Sequence, residues 1–201
     1  MKNILVVFSG KAQSGKSTSS KILKEIIQKN NPECVVTIYS FANKIKELAK
    51  DLFDWNGSKE LFYPEIPSNA DVEEYYKEQE PIRDKGRQLL INIGQQMRWI
   101  RPTVWAEYAI KQINIQNSLK SENQIFIIDD LRFKNELDIV KTFNNCVSVR
   151  LSRPEELKIN DISELDMDGV ELDYSITNNS SMDILSSNLT GLFEKIKLKY
   201  E

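Results

Sequence analysis

The chain has 201 residues, with 27 lysines and arginines against 30 aspartates and glutamates, and no histidine. That length buries a core without disulfide staples, the near-balanced charge gives no basic footprint for duplex nucleic acid, and the missing histidine excludes Ser-His nucleophilic catalysis and histidine-ligated zinc. No apolar stretch approaches membrane-spanning length and the N-terminus reads as a strand rather than a signal peptide, so a soluble, cytoplasmic protein is expected.

In chain order, the first element is the apolar run Ile4–Phe8, followed by Gly10-Lys11-Ala12-Gln13-Ser14-Gly15-Lys16-Ser17 and a helical pattern at 16–29. Strand, G-x-x-x-x-G-K-S, helix is the context of a phosphate-binding loop. Its glycines let the backbone curl so that N–H groups converge on phosphate oxygens. Lys16 adds a point charge, Ser17 can ligate Mg²⁺, and the helix N-terminus contributes its dipole. The alternative, a chance match in a glycine turn, leaves the strand before it and the helix after it unexplained.

A second strand is expected at Cys34–Tyr39, then Ser40-Phe41-Ala42-Asn43-Lys44 opening a helix at 41–53. Ser40 is a natural N-cap. Phe41 and Lys44 would face a crevice at the strand ends, within reach of a base and a phosphate. Residues 54–82 are polar, aromatic and proline-interrupted, either a flap over a ligand or a surface insertion.

The helix expected at 84–100 carries Arg87, Ile91, Gly94 and Arg98 along one stripe. Two arginines flanking a glycine suit a small anion approaching the backbone; an ordinary solvated face is the alternative. Trp99 and Trp105, the latter on a helix at 103–119, would stack on a base or fill core.

The third strand, Gln124–Asp129, runs into Asp129-Asp130-Leu131-Arg132, with a helix at 132–142. Carboxylates there would hold Mg²⁺, its waters or a substrate hydroxyl, and Arg132 would clamp a phosphate. Otherwise an aspartate caps the next helix and Arg132 pairs with Glu136. Strands at Val147–Leu151 and Tyr174–Thr177 follow, then a helix at 183–199. Between those strands, residues 153–173 are largely acidic. The last strand leads into Asn178-Asn179-Ser180-Ser181, a loop near the nucleotide or an ordinary turn. The two cysteines, Cys34 and Cys146, open strands as small buried thiols with no metal-ligand spacing.

Continuous apolar strands alternating with helices imply an α/β fold: a three-layer, mostly parallel five-stranded sheet with helices on both faces, in one domain spanning 1–201. Ligands on such sheets bind at the carboxyl ends of the strands.

Taken together and in order, these motifs resemble the phage-type deoxynucleoside monophosphate kinases, a branch of the P-loop nucleotide kinases. The resemblance rests on G-K-A-Q-S-G-K-S-T, S-F-A-N-K-I-K, G-R-Q-L-L-I-N-I-G-Q-Q-M-R with Trp105 following, I-I-D-D-L-R-F-K-N-E, Ser163-Glu164 and I-T-N-N. It implies transfer of the γ-phosphate of ATP to a deoxynucleoside 5′-monophosphate. Gly10, Gln13, Ser14, Gly15, Lys16 and Thr18 would then hold the ATP phosphates, Ser17 the Mg²⁺ (with Asp129 through water), and Asn178 would lie by the adenine. Arg87, Arg132 and Arg98 would grip the acceptor phosphate, Asp130 and Glu136 would contact the acceptor or organise the arginines, and Phe41 and Trp105 would lie near its base. Lys44 would add a further charge on the acceptor side.

Two departures accompany the resemblance. The segment 154–173, where such kinases carry lid arginines, has one lysine against eight acids, leaving Arg150 and Arg153 at its edge. Residues 54–82, the acceptor-side insertion, match no motif, so base preference is unread. Oligomeric state is open, a homodimer included. The other readings are a dephospho-coenzyme A or thymidylate kinase on the same scaffold, or a nucleotide-dependent switch. The switch is disfavoured by the absence of N-K-x-D, since Asn43-Lys44-Ile45-Lys46 carries lysine where that motif has aspartate.

Overall fold

Five parallel strands make one sheet, and the computed structural model describes residues 3–57, 85–119, 123–153 and 165–200. The strands are β1 (Ile4–Ser9), β2 (Val35–Tyr39), β3 (Gln124–Leu131), β4 (Cys146–Ser152) and β5 (Tyr174–Thr177), in spatial order β2-β3-β1-β4-β5. Leu5 pairs with Phe126 on one side and Cys146 on the other, Val36 with Ile125, and Leu151 with Ile176. The central strand β1 is buried from end to end. A strand covered on both faces has no solvent side to populate with polar residues, hence the unbroken apolar run.

The helices are α1 (Lys16–Asn30), α2 (Phe41–Phe53), α3 (Lys85–Ile100), α4 (Val104–Leu119), α5 (Lys134–Val140) and α6 (Met182–Tyr200). On one face of the sheet, Ile4, Val6 and Phe8 of β1 join Ile125, Ile127, Val147, Val149 and Leu151 under Leu23 and Ile27 of α1 and Leu189, Phe193 and Ile196 of α6. Truncating such a fully buried side chain to alanine typically costs about 2–5 kcal/mol. On the other face, Phe126 meets Phe143, just past α5, edge-on with ring centroids 6.1 Å apart. Gln116 of α4 accepts from the Tyr39 hydroxyl (2.7 Å) and donates to Thr37 of β2 (3.0 Å). The expected three-layer α/β architecture is therefore the observed one.

Two boundaries differ from expectation for local reasons. β3 continues through Asp130 to Leu131, so both aspartates are strand residues. α5 starts at Lys134 rather than 132, because the buried Glu136 carboxylate takes the N–H groups of Arg132 (3.1 Å) and Phe133 (3.2 Å) and holds them ahead of the helix. Both cysteines are free. Burial raises the Cys34 thiol pKa; burial with Asp173 nearby pushes Cys146 up to about 12, against the opposing pull of Lys141. Cys34 is buried, as expected, and Cys146 is half-buried.

The chain divides into two compact units, Met1–Phe41 with Trp105–Glu201, and Ala42–Val104. The first carries the whole sheet. In the second, Gly94 of α3 is buried, and a Cβ there would lie 3.3 Å from Ile45 Cδ1 of α2. Arg98 Nη1 lies 3.8 Å from the same position. Among the described residues no helix is long and apolar enough to cross a membrane. Most of 54–82, and the segment 154–164 with Lys158, Ser163 and Glu164, lie outside the described residues.

Candidate active site

Parallel strands deliver their carboxyl ends to one edge of the sheet, and four of the five contribute to what gathers there. β1 ends at Ser9 and the chain turns sharply at Gly10, whose φ of 151° leaves the region open to L side chains. A Cβ on Gly10 would run into the carbonyl oxygen of Leu151 in β4, so only glycine passes. Gln13 (φ 63°) and Gly15 (φ 97°) are also left-handed. Successive turns of this kind point backbone N–H groups into a shared hollow, the concavity that takes phosphate. The Ser14 N–H closes the loop on Lys11 O (3.2 Å), and Ser19 N–H on Gly15 O (2.8 Å) begins α1.

Lys16 is only 8 % exposed, and its ammonium donates to the carbonyls of Gly10 (2.5 Å) and Lys11 (2.7 Å). The charge is already held over the loop, where a phosphate oxygen would be its counter-ion. Ser17 and Thr18 are exposed at the start of α1.

A crevice of about 710 Å³ opens above this loop. Gln13, Gly15, Lys16, Ser17 and Thr18 line it from the loop side, Asp129, Asp130 and Arg132 from β3, and Arg153 and Asn178 from the ends of β4 and β5. Ten of the residues singled out in the sequence therefore meet in one cavity within the first unit. Gly10 and Ser14 do not line it.

The remaining candidates are placed differently. Glu136 is 1 % exposed and bound to the Arg132 and Phe133 amides, so it holds the backbone that carries Arg132. Phe41 and Trp105 are each 3 % exposed and belong to the core. Ser40 is not a simple N-cap: its hydroxyl donates to Asp130 (2.6 Å), whose other oxygen takes the Phe41 N–H (2.8 Å). Asp130 thus caps α2, a helix distant in sequence, instead of the one that follows it. Lys44 pairs with Glu47 at 3.0 Å, and Arg87 and Arg98 belong with it to the second unit. Arg150 does not point to lid chemistry; its guanidinium holds the carbonyls of Met167 (2.9 Å) and Val170 (2.7 Å).

Sequence reasoning did not single out Ala12, Met182 or Leu185, or assign roles to Ser180 and Ser181, all of which also line the crevice. The run Ile176–Ser181 marked the loop, but α6 begins at its end, and the inward turn of its first residues has no motif. Among the described residues no cluster of three acidic or cysteine ligands is assembled for a metal. One hydroxyl and one nearby carboxylate suit a hard cation such as Mg²⁺ that keeps most of its waters and arrives with phosphates.

No family model and no curated protein matches the sequence. Among solved structures the chain is similar to the APS kinase CysC of Mycobacterium tuberculosis in complex with AMPPNP and APS, at TM-score 0.51 and 10 % identity over 96 % of this chain and 98 % of that one. A cysteine-to-alanine mutant of the same kinase matches at TM-score 0.50 and 10 % identity, covering 96 % and 99 %. The α/β fold resembles that of these kinases. At this identity the likeness speaks for the scaffold, and the chemistry rests on the crevice itself.

Proposed function

We propose that the protein is a phosphotransferase that moves the γ-phosphoryl group of ATP to the phosphate of a deoxynucleoside 5′-monophosphate, giving ADP and the diphosphate. The observation that carries this is the gathering of Lys16, Ser17 and Thr18 with Asp129, Arg132 and Arg153 in one cavity. Phosphoryl transfer asks for alignment and charge neutralisation rather than proton chemistry. An acceptor phosphate is already nucleophilic at neutral pH, so a chain without histidine loses nothing.

The loop amides and Lys16 would bind the donor's β- and γ-phosphates. Mg²⁺, held by Ser17 and through water by Asp129, would neutralise charge on the same oxygens. Arg132, at the mouth of β3, and Arg153 would receive the charge that develops on the transferring group. The choice of a deoxynucleoside monophosphate rests on the D-L-R-F-K-N-E and G-R-Q-L-L-I-N-I-G-Q-Q-M-R segments, and Arg87 and Arg98 are proposed for its phosphate. The AMPPNP complex of the structurally similar kinase supports an ATP-type donor.

The test is ADP release from MgATP with a panel of acceptors: dAMP, dGMP, dCMP, dTMP, dUMP, AMP, UMP, APS and dephospho-coenzyme A. ADP release that depends on a deoxynucleoside monophosphate is the expected result. Release only with APS or dephospho-coenzyme A would overturn the acceptor class, and nucleotide binding with no acceptor-dependent release would overturn the enzyme.

A further inference from the structure

Asn178 lies where β5 gives way to α6, far in sequence from the phosphate loop, yet it makes two contacts with that loop and a third with the end of β4. Its side-chain amide donates to the carbonyl of Ser14 (3.0 Å). The same amide nitrogen occupies the space that a Cβ on Gly15 would need. Its own backbone N–H is tied to Ser152 O at the end of β4 (2.8 Å). On the other limb of the loop, Gly10 is pressed against Leu151 O of the same strand. The two limbs of the loop are therefore held by the ends of β4 and β5.

From this geometry we propose that Asn178 is the positioning residue that sets the phosphate loop, acting through the Ser14–Gly15 peptide and on the polyphosphate tail rather than on the base. In a trans peptide the C=O and the next N–H point in opposite directions. Drawing the Ser14 carbonyl toward Asn178 therefore turns the Gly15 N–H away from it, toward the hollow of the loop. The left-handed φ of Gly15 is the backbone state this requires, and the Asn178 amide leaves room for no side chain there. An asparagine suits the task because its short, uncharged amide donates to a carbonyl without adding charge beside a triphosphate. The inference rests on the phosphate-binding reading of the loop but not on which acceptor is used.

The experiment compares wild type, Asn178→Ala and, as control, Asn179→Ala, whose exposed side chain does not line the crevice. Affinities for inorganic tripolyphosphate, MgATP and MgGTP are measured by calorimetry, and amide exchange of the ligand-free proteins is followed at residues 13–16. Asn178→Ala should weaken all three ligands by the same factor, about three- to tenfold for one lost hydrogen bond. It should also speed exchange at the loop and leave β2 unchanged, while Asn179→Ala does neither. Weaker MgATP with tripolyphosphate and MgGTP unaltered would make Asn178 a base contact and overturn the proposal. Unchanged loop exchange in Asn178→Ala would also overturn it. A wild-type protein that binds no polyphosphate would sink the function proposed above, and the exchange comparison would still decide the clasp.

Discussion

The Lys16 ammonium is buried against the loop and donates to the carbonyls of Gly10 and Lys11. A carbonyl is a weaker partner for an ammonium than a phosphate oxyanion, so on the proposed function the lysine would gain by exchanging one for the other. Lys16→Ala should lower triphosphate affinity about ten- to a hundredfold, the worth of a charge-assisted hydrogen bond, and leave the fold intact. Calorimetry with MgAMPPNP alongside thermal melting checks both parts. Unchanged affinity would mean that the phosphates do not sit on this loop. Asp130 carries a different prediction. With both oxygens engaged by Ser40 and the Phe41 amide, Asp130→Ala removes a cap in trans and should destabilise the protein by about 1–2 kcal/mol. Asp130→Asn should recover part of that, because its carbonyl still accepts. If denaturant melts show no loss in Asp130→Ala, the cap is not holding α2.

At the scale of elements, strand positions were legible because β1, β3 and β4 are buried on both faces and so carry apolar runs that nothing else in the chain imitates. The turn after β1 was legible for a related reason: its glycines answer to backbone conformations that the structure shows directly at Gly10 and Gly15. What the sequence did not reveal are the long-range partnerships. Asp130 reads as a metal or substrate ligand, yet its carboxylate reaches 90 residues back to Ser40. Glu136 reads as an acceptor contact or an ion-pair partner of Arg132, yet it binds the backbone beneath that arginine. Asn178 reads as a turn residue or base neighbour, and its hydrogen bond to Ser14 spans 164 positions. Polar residues at strand ends look alike in sequence whether they serve a ligand or the protein's own amides, and only the fold brings their partners into view.

At the scale of the whole molecule, one edge of the sheet contributes to acid stability. At the start of β5, Asp173 accepts from the Ser148 backbone (2.8 Å) and hydroxyl (2.6 Å) in β4, the pair that locks the two strands together. Partial burial would raise its pKa, but those hydrogen bonds, with Lys199 and Lys141 nearby, outweigh it and leave the carboxyl below its ordinary value. A depressed folded-state pKa contributes stability that is complete above the unfolded value, about 4, and is lost as pH falls through the folded value. Melting temperature should therefore fall on acidification from pH 5 to pH 3, and fall less in Asp173→Asn. Parallel curves for the two proteins would remove this carboxylate from the acid response.

The claim that joins these scales is that the crevice aligns a triphosphate with a phosphate acceptor. It is tested most directly by following ATP labelled at the γ-phosphate with Mg²⁺ and a deoxynucleoside monophosphate. The label should move into the deoxynucleoside diphosphate, in equal amount with ADP, and this transfer should vanish in Lys16→Ala. Label that stays in ATP, or is released only as inorganic phosphate, would contradict phosphoryl transfer at this site.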